Sequence, residues 1–198
     1  MKDAVIPHDH EKGPAADCTN AQTCTVCGIV FAEALGHTTT AGTCTRCNET
    51  IGDSLLTKVS TTDQLVDGAK ILITYSTNVM SVTHGGKFFN RETGFSATAT
   101  VIQSTWNVVT LVKSGANWKL ISSNGQTIQK TNSENQVQLG NNTDNSALWT
   151  ITVSNGTAEI RSVGKSNYCL QYNGTSGQER FSCYKGTQSN PTLYIVNQ

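Results

Sequence analysis

Two CxxC pairs, Cys24/Cys27 and Cys44/Cys47, stand sixteen residues apart with His37 between them. A CxxC turn presents two thiolates from one tight loop. Two such loops facing each other complete a tetrahedron around Zn2+, with Zn–S distances of about 2.3 Å. Gly28, directly after Cys27, suits the backbone of such a turn. Cys24, Cys27, Cys44 and Cys47 form the first candidate ligand set. Sets that bring in Cys18, His37, or one of His8 and His10 stay open, as does the number of zinc ions. A segment of about 40 residues buries too little apolar surface to fold alone, so a closed, structural zinc site would supply its folding energy. Five cysteines in this region make an odd number, which fits a disulfide framework poorly, and no βαβ context marks a redox CxxC.

The remaining three quarters of the chain have another character. All cysteines but two, and three of the four histidines, precede residue 48. The division therefore falls near 51–55: a tail over 1–17, a zinc-binding Cys/His module over 18–52, and a larger domain over 55–198. About a third of all residues are Thr, Ser or Asn, which favour strands and turns. Short apolar runs predict strands at 69–75, 97–102, 106–112, 117–122, 148–154, 158–163, 167–172, 180–184 and 192–196. One short helix or turn is expected over 61–68, opened by a Thr and stopped by Gly68. Trp118 to Gly125 and Trp149 to Gly156 share the pattern W-x-Φ-x-x-S-N-G, with a looser copy beginning at Trp106. Asn-Gly between strands signals a hairpin, because both central residues of a type I′ turn take positive φ. Repeated hairpins predict a mainly β chain whose larger part is a β-barrel or β-trefoil-like domain. The recurring tryptophans are expected in its core.

The chain carries equal numbers of acidic and basic residues and only 14% charged residues, which argues against a nucleic-acid partner that needs a basic surplus. No apolar run reaches the length of a membrane helix, and the first residues lack the apolar stretch of a secretory signal. His84 stands alone in a glycine loop and reads as a turn residue, and no nucleophile elbow or spaced acid pair suggests catalysis. The best ligand candidates lie on the hairpin after residue 167. If Tyr172 faces Arg180, the two share a face with Asn173 and Tyr184 nearby, an arrangement of aromatic, amide and guanidinium groups that suits a sugar. The same register places Cys169 opposite Cys183, close enough for a cross-strand disulfide in an oxidising compartment.

Two resemblances add to this reading. The stretch from Cys18 through CTVCG, ALGH and CTRC resembles Cys/His repeats of large extracellular proteins of gut-type bacteria, although Asn48 stands where Gly often follows the second pair. The end of the chain, NYCLQYN…RFSCYK…TLYIV, resembles the "YLQYN…RFxxYK…LY" ending of β-rich accessory domains of secreted bacterial proteins. Together they imply an extracellular or cell-surface setting, a place in a larger multi-domain chain, and a glycan or cell-surface protein as partner. The alternative is a structural or protein-interaction module with no small ligand.

Overall fold

A computed structural model describes residues 9–36, 39–40, 43–44, 46–47 and 55–197. The chain divides into two compact units, Met1–Asp53 and Ser54–Gln198. The first contains four short strands: β1 (Gln22–Thr23), β2 (Val30–Ala32), β3 (Thr39–Thr40) and β4 (Thr43–Cys44). β1 pairs antiparallel with β2, and β3 with β4. Among the described residues of this unit only Cys18 and Cys24 are buried, while Val26, Ile29, Val30, Phe31 and Leu35 are exposed. Apolar burial therefore contributes little to holding it together.

The second unit is built from β5 (Leu56–Lys58), β6 (Lys70–Tyr75), β7 (Asn78–His84), β8 (Phe89–Thr93), β9 (Val109–Ser114), β10 (Asn117–Ile121), β11 (Thr127–Gln129), β12 (Gln138–Gly140), β13 (Trp149–Ser154), β14 (Thr157–Ser162), β15 (Cys169–Asn173), β16 (Arg180–Tyr184) and β17 (Thr192–Val196). Two 3-10 turns, Thr62–Gln64 and Asn145–Ala147, interrupt them. Nine strands close into a barrel in the order β6-β7-β8-β16-β15-β14-β13-β10-β9 and back to β6, every pairing antiparallel. β17 adds to β6 and carries β5. No helix among the described residues is long and apolar enough to cross a membrane.

Side-chain alternation sets the interior. On β13, Trp149, Ile151 and Val153 point inward and Thr150, Thr152 and Ser154 outward, the period of two that a half-buried strand requires. The barrel interior joins these to Leu111, Leu120, Ile128, Ile160, Leu170, Phe181 and Leu193. A second cluster, Leu56, Leu72, Val79, Phe95, Trp106 and Val196, packs apart from it.

All three tryptophans are buried, as expected, but they do not occupy equivalent places. Trp118 and Trp149 each lie on a strand that turns back at Asn-Gly, β10 into β11 and β13 into β14, and the two are direct partners across β10 and β13. Trp106 sits in the second cluster. Hairpins also recur at a longer spacing: the closing pairs Tyr75↔Asn78, Ser114↔Asn117 and Ser154↔Thr157 stand 39 and 40 residues apart. The run 97–102 is not a strand. Its apolar residues Ala99 and Ile102 instead cover the second cluster from a loop. The expected helical turn shrinks to Thr62–Gln64, where Gln64 Oε1 accepts from the backbone N–H groups of Ser60 and Thr61.

The Asn155-Gly156 turn has φ of 50° and 77°, as a type I′ hairpin demands. A Cβ on Gly156 would lie 2.6 Å from Lys58 Cε. Trp149 is fully buried and its Nε1 donates to Ile128 O at 2.8 Å. Urea unfolding of the full chain is expected to show Trp149→Ala destabilised by about 3–5 kcal/mol and Gly156→Ala by about 1 kcal/mol or more. A Trp149→Ala protein as stable as the parent would contradict this core.

Candidate metal centre and ligand cleft

In the first unit, backbone pairing gathers a donor set. Lys12 bridges Cys24, Gly13 N–H donates to Thr23 O, and Thr25 N–H donates to Glu11 O. This antiparallel contact carries His10 to the CxxC turn. Cys24 N–H donates to Ile29 O and Gly28 N–H to Cys24 O, closing a turn in which Gly28 takes φ +74°. The outcome is a cluster of His10, Cys24 and Cys27 whose ligand atoms all lie within 4.8 Å of one another. His10 Nδ1 and Cys27 Sγ are 3.4 Å apart. One imidazole and two sulfurs at this spacing can hold a metal ion, and soft N/S donors suit Zn2+.

Cys24 and Cys27 of the expected set are thus brought together, and His10, one of the open alternatives, joins them. Cys18 is buried and Cys47 exposed. The backbone of Cys44 is placed in β4. His37 and His8 lie outside the described residues. Next to Cys18, Asp17 accepts from the Asn20 side chain and from the N–H groups of Asn20 and Thr19. The Asn20 amide, more than any other group, holds the Asp17 carboxyl at about 2. This turn is therefore at full strength above the ordinary carboxylate range and loosens as pH falls toward 2.

In the second unit the β15–β16 register differs by one residue from the expected one. Tyr172 faces Phe181, and Arg180 faces Asn173. Because successive residues of a strand point to opposite sides, this slip separates Tyr172 from Arg180. Tyr172 is buried, stacked on Tyr75 with centroids 5.1 Å apart and packed against Phe181. Burial, above all, pushes its hydroxyl pKa up. Asn173 is buried with its Oδ1 accepting from Thr175 N–H. Arg180 reaches Gln178 Oε1 and Tyr184 OH and lies over Phe88 at 4.7 Å. Tyr184 is buried. These aromatic faces are engaged within the protein.

The slip also separates the two cysteines. Cys169 opposes Tyr184 and Cys183 opposes Leu170, so the thiols point to opposite sides of the sheet and no disulfide joins them. Burial raises both thiol pKa values, Cys183 the more strongly. His84 is structural: its Nδ1 accepts from Gly86 N–H, which leaves Nε2 to donate to Val137 O at 2.9 Å.

A cleft of about 570 Å3 lies elsewhere, where the loop after β8 folds over the second apolar cluster. Glu92, Gln103, Thr100, Thr105 and Trp106 line it. Glu92 Oε1 is held by Ser81 Oγ at 2.9 Å, and Trp106 packs at its base against Phe95. Strand patterning could not reveal this site, since its wall is a loop and its contributors span fifteen positions in sequence.

No protein-family model and no curated protein sequence matches the chain. Among solved structures, the fold is similar to a GlcNAcα1-4Gal-releasing endo-β-galactosidase from Clostridium perfringens, at 13% identity and a TM-score of 0.52, covering 67% of this chain and 33% of that one. It is also similar to a mosquitocidal holotoxin, at 13% identity and a TM-score of 0.51, covering 68% of this chain and 18% of that one. The chain thus spans a third or less of these proteins, and the likeness is one of fold.

Alkylation tests the thiol assignment. In urea without reductant, Cys169 and Cys183 are both expected to react with iodoacetamide, whereas in the folded chain Cys183 stays unmodified because burial disfavours its thiolate. A Cys169–Cys183 cross-linked peptide in the mass spectrum would refute it.

Proposed function

We propose that the chain is a non-catalytic recognition module of a larger secreted protein, with a zinc-stabilised N-terminal unit and a β-barrel unit of trefoil type that binds glycan. The observation that carries the ligand reading is the 570 Å3 cleft, whose lining combines the edge of the buried Trp106 with a fixed carboxylate, an amide and threonine hydroxyls. Saccharides present C–H faces and hydroxyl edges together, and such a lining matches both. The zinc reading is supported by the His10–Cys24–Cys27 cluster, with the fourth ligand drawn from Cys18, His37, Cys44 or Cys47. The exposed apolar stretch Val26, Ile29, Val30, Phe31 and Leu35 favours a second reading, in which the first unit docks a protein partner.

Titration of neutral galacto- and gluco-oligosaccharides against the full chain tests the first reading. Gln103→Ala, an exposed change, is expected to weaken binding about tenfold, the cost of one unmade hydrogen bond in a partly buried site. Absence of binding to every saccharide tried, alongside capture of a protein partner, would favour the second reading. For the metal, mass spectrometry of the native chain is expected to find bound zinc, and His10→Ala and Cys24→Ser are each expected to lower its affinity at least tenfold. A folded, metal-free chain would overturn the zinc assignment.

A further inference from the structure

A different region carries positive charge without paired carboxylates. The 163–168 segment between β14 and β15 is seated closely on the turn that precedes β13. Gly164 N–H donates to Asn145 O at 2.9 Å, and a Cβ at Gly164 would lie 3.0 Å from Asn145 backbone atoms. A side chain there would press the Asn145 backbone away, and the close approach places Lys165 between two clefts. One, of about 440 Å3, is lined by Lys130, Thr131, Asp144, Ser146 and Lys165. The other, of about 290 Å3, is lined by Ser133, Lys165, Ser166, Asn167, Tyr168 and Lys185.

Lys130 is fully buried, with Nζ donating to Asn132 Oδ1 and Glu134 O. It also lies 4.1 Å from the centroid of Tyr168, and Lys185 Nζ lies 5.4 Å from the same centroid. The nearby acids are held by other side chains, although the Glu134 charge also acts on Lys130. Asp144 accepts from Ser146 N–H and Oγ, and Glu134 accepts from Gln136. Among the described residues, neither forms an ion pair with Lys130, Lys165 or Lys185. Desolvation by burial lowers the pKa of Lys130, with repulsion from Lys165 adding to it and Cys183 and Glu134 opposing it. Ammonium groups gathered around one ring without a bridging carboxylate form an environment that an anion would relieve.

We infer that the smaller cleft, formed by Lys165, Lys185, Ser133, Ser166, Asn167 and Tyr168, binds a tetrahedral oxyanion carried on a saccharide, that is, a sulfate or phosphate ester of a sugar. The two lysines take the ester oxygens, the hydroxyl and amide groups take ring hydroxyls, and Lys130 beneath Tyr168 keeps the local potential positive. The chain's zero net charge and the gathering of these lysines from three separate connections onto one ring distinguish the site from a nucleic-acid track, which needs an extended basic stripe. The saccharide part of this assignment rests on the glycan reading above, while the site is separate from the Trp106 cleft.

The test is an NMR titration of the full, isotope-labelled chain with galactose 6-sulfate, galactose and inorganic sulfate, following the amides of 164–168. Galactose 6-sulfate is expected to bind at least tenfold more tightly than galactose and to weaken as salt rises. Lys165→Ala and Lys185→Ala should each lower that affinity at least fivefold, Lys→Arg at the same positions should retain it, and Gln103→Ala should leave it unchanged. Equal shifts with galactose and its sulfate would overturn the inference, as would inorganic sulfate binding as tightly as the ester, which would mark an adventitious ion only. Loss of neutral-sugar binding in Gln103→Ala reports on the Trp106 cleft alone, so the two readings fail separately.

Discussion

Everything in the larger unit depends on closing the ring of strands. β6 and β9 meet over only two register pairs, Lys70↔Thr110 and Ile71↔Val109. The seam is lengthened by hydrogen bonds outside the strands: Leu111 N–H to Ala69 O, Gly68 N–H to Leu111 O, Lys113 N–H to Asp67 Oδ1, and Asn107 N–H to Met80 O. Open, the sheet would present two unpaired edges of the kind that recruit other chains. Closed, it encloses a core of inward residues from all nine strands. Two strands further round, the seam between β10 and β13 rests on one register pair, Trp118↔Trp149, whose large buried side chains reinforce it. Topology and packing compensate each other around the circumference.

Much of this was legible from residue patterns. β6, β16 and β17 follow short apolar runs, β10, β13 and β14 add a period of two, and the Asn155-Gly156 turn announces its own hairpin through two residues that tolerate positive φ. β7 and β8 were hidden because Gly85-Gly86 and charged Arg91 and Glu92 break the apolar pattern, although the strands flank those glycines as an ordinary hairpin. The segment 97–102 misled in the opposite direction. Its apolar residues serve a second cluster from a loop, and periodicity cannot tell that from a strand. The W-x-Φ-x-x-S-N-G motif marked the β10–β11 and β13–β14 hairpins, while the recurrence of hairpins 39 and 40 residues apart left no such signature in the sequence.

The candidate sites show the same boundary. The CxxC spacing identified Cys24 and Cys27, since a single turn brings them together. His10 could not be ranked above the other histidines by spacing, because its arrival depends on Glu11 to Gly13 running beside Thr23 to Thr25. On the β15–β16 hairpin a register error of one residue was enough to misplace both a disulfide and a ligand face. Loop length leaves such a slip open, and the six-residue connection there carries no turn signal strong enough to decide it.

The loop over 94–105 touches the barrel mainly through Phe95, Ala99 and Ile102, while Ser96, Thr100, Val101, Gln103 and Thr105 face outward. Anchoring and recognition thus fall on different side chains of one segment. Selection can rewrite the outward set to suit a new target while the inward set keeps the scaffold intact, so a change of binding preference need not pass through an unstable intermediate.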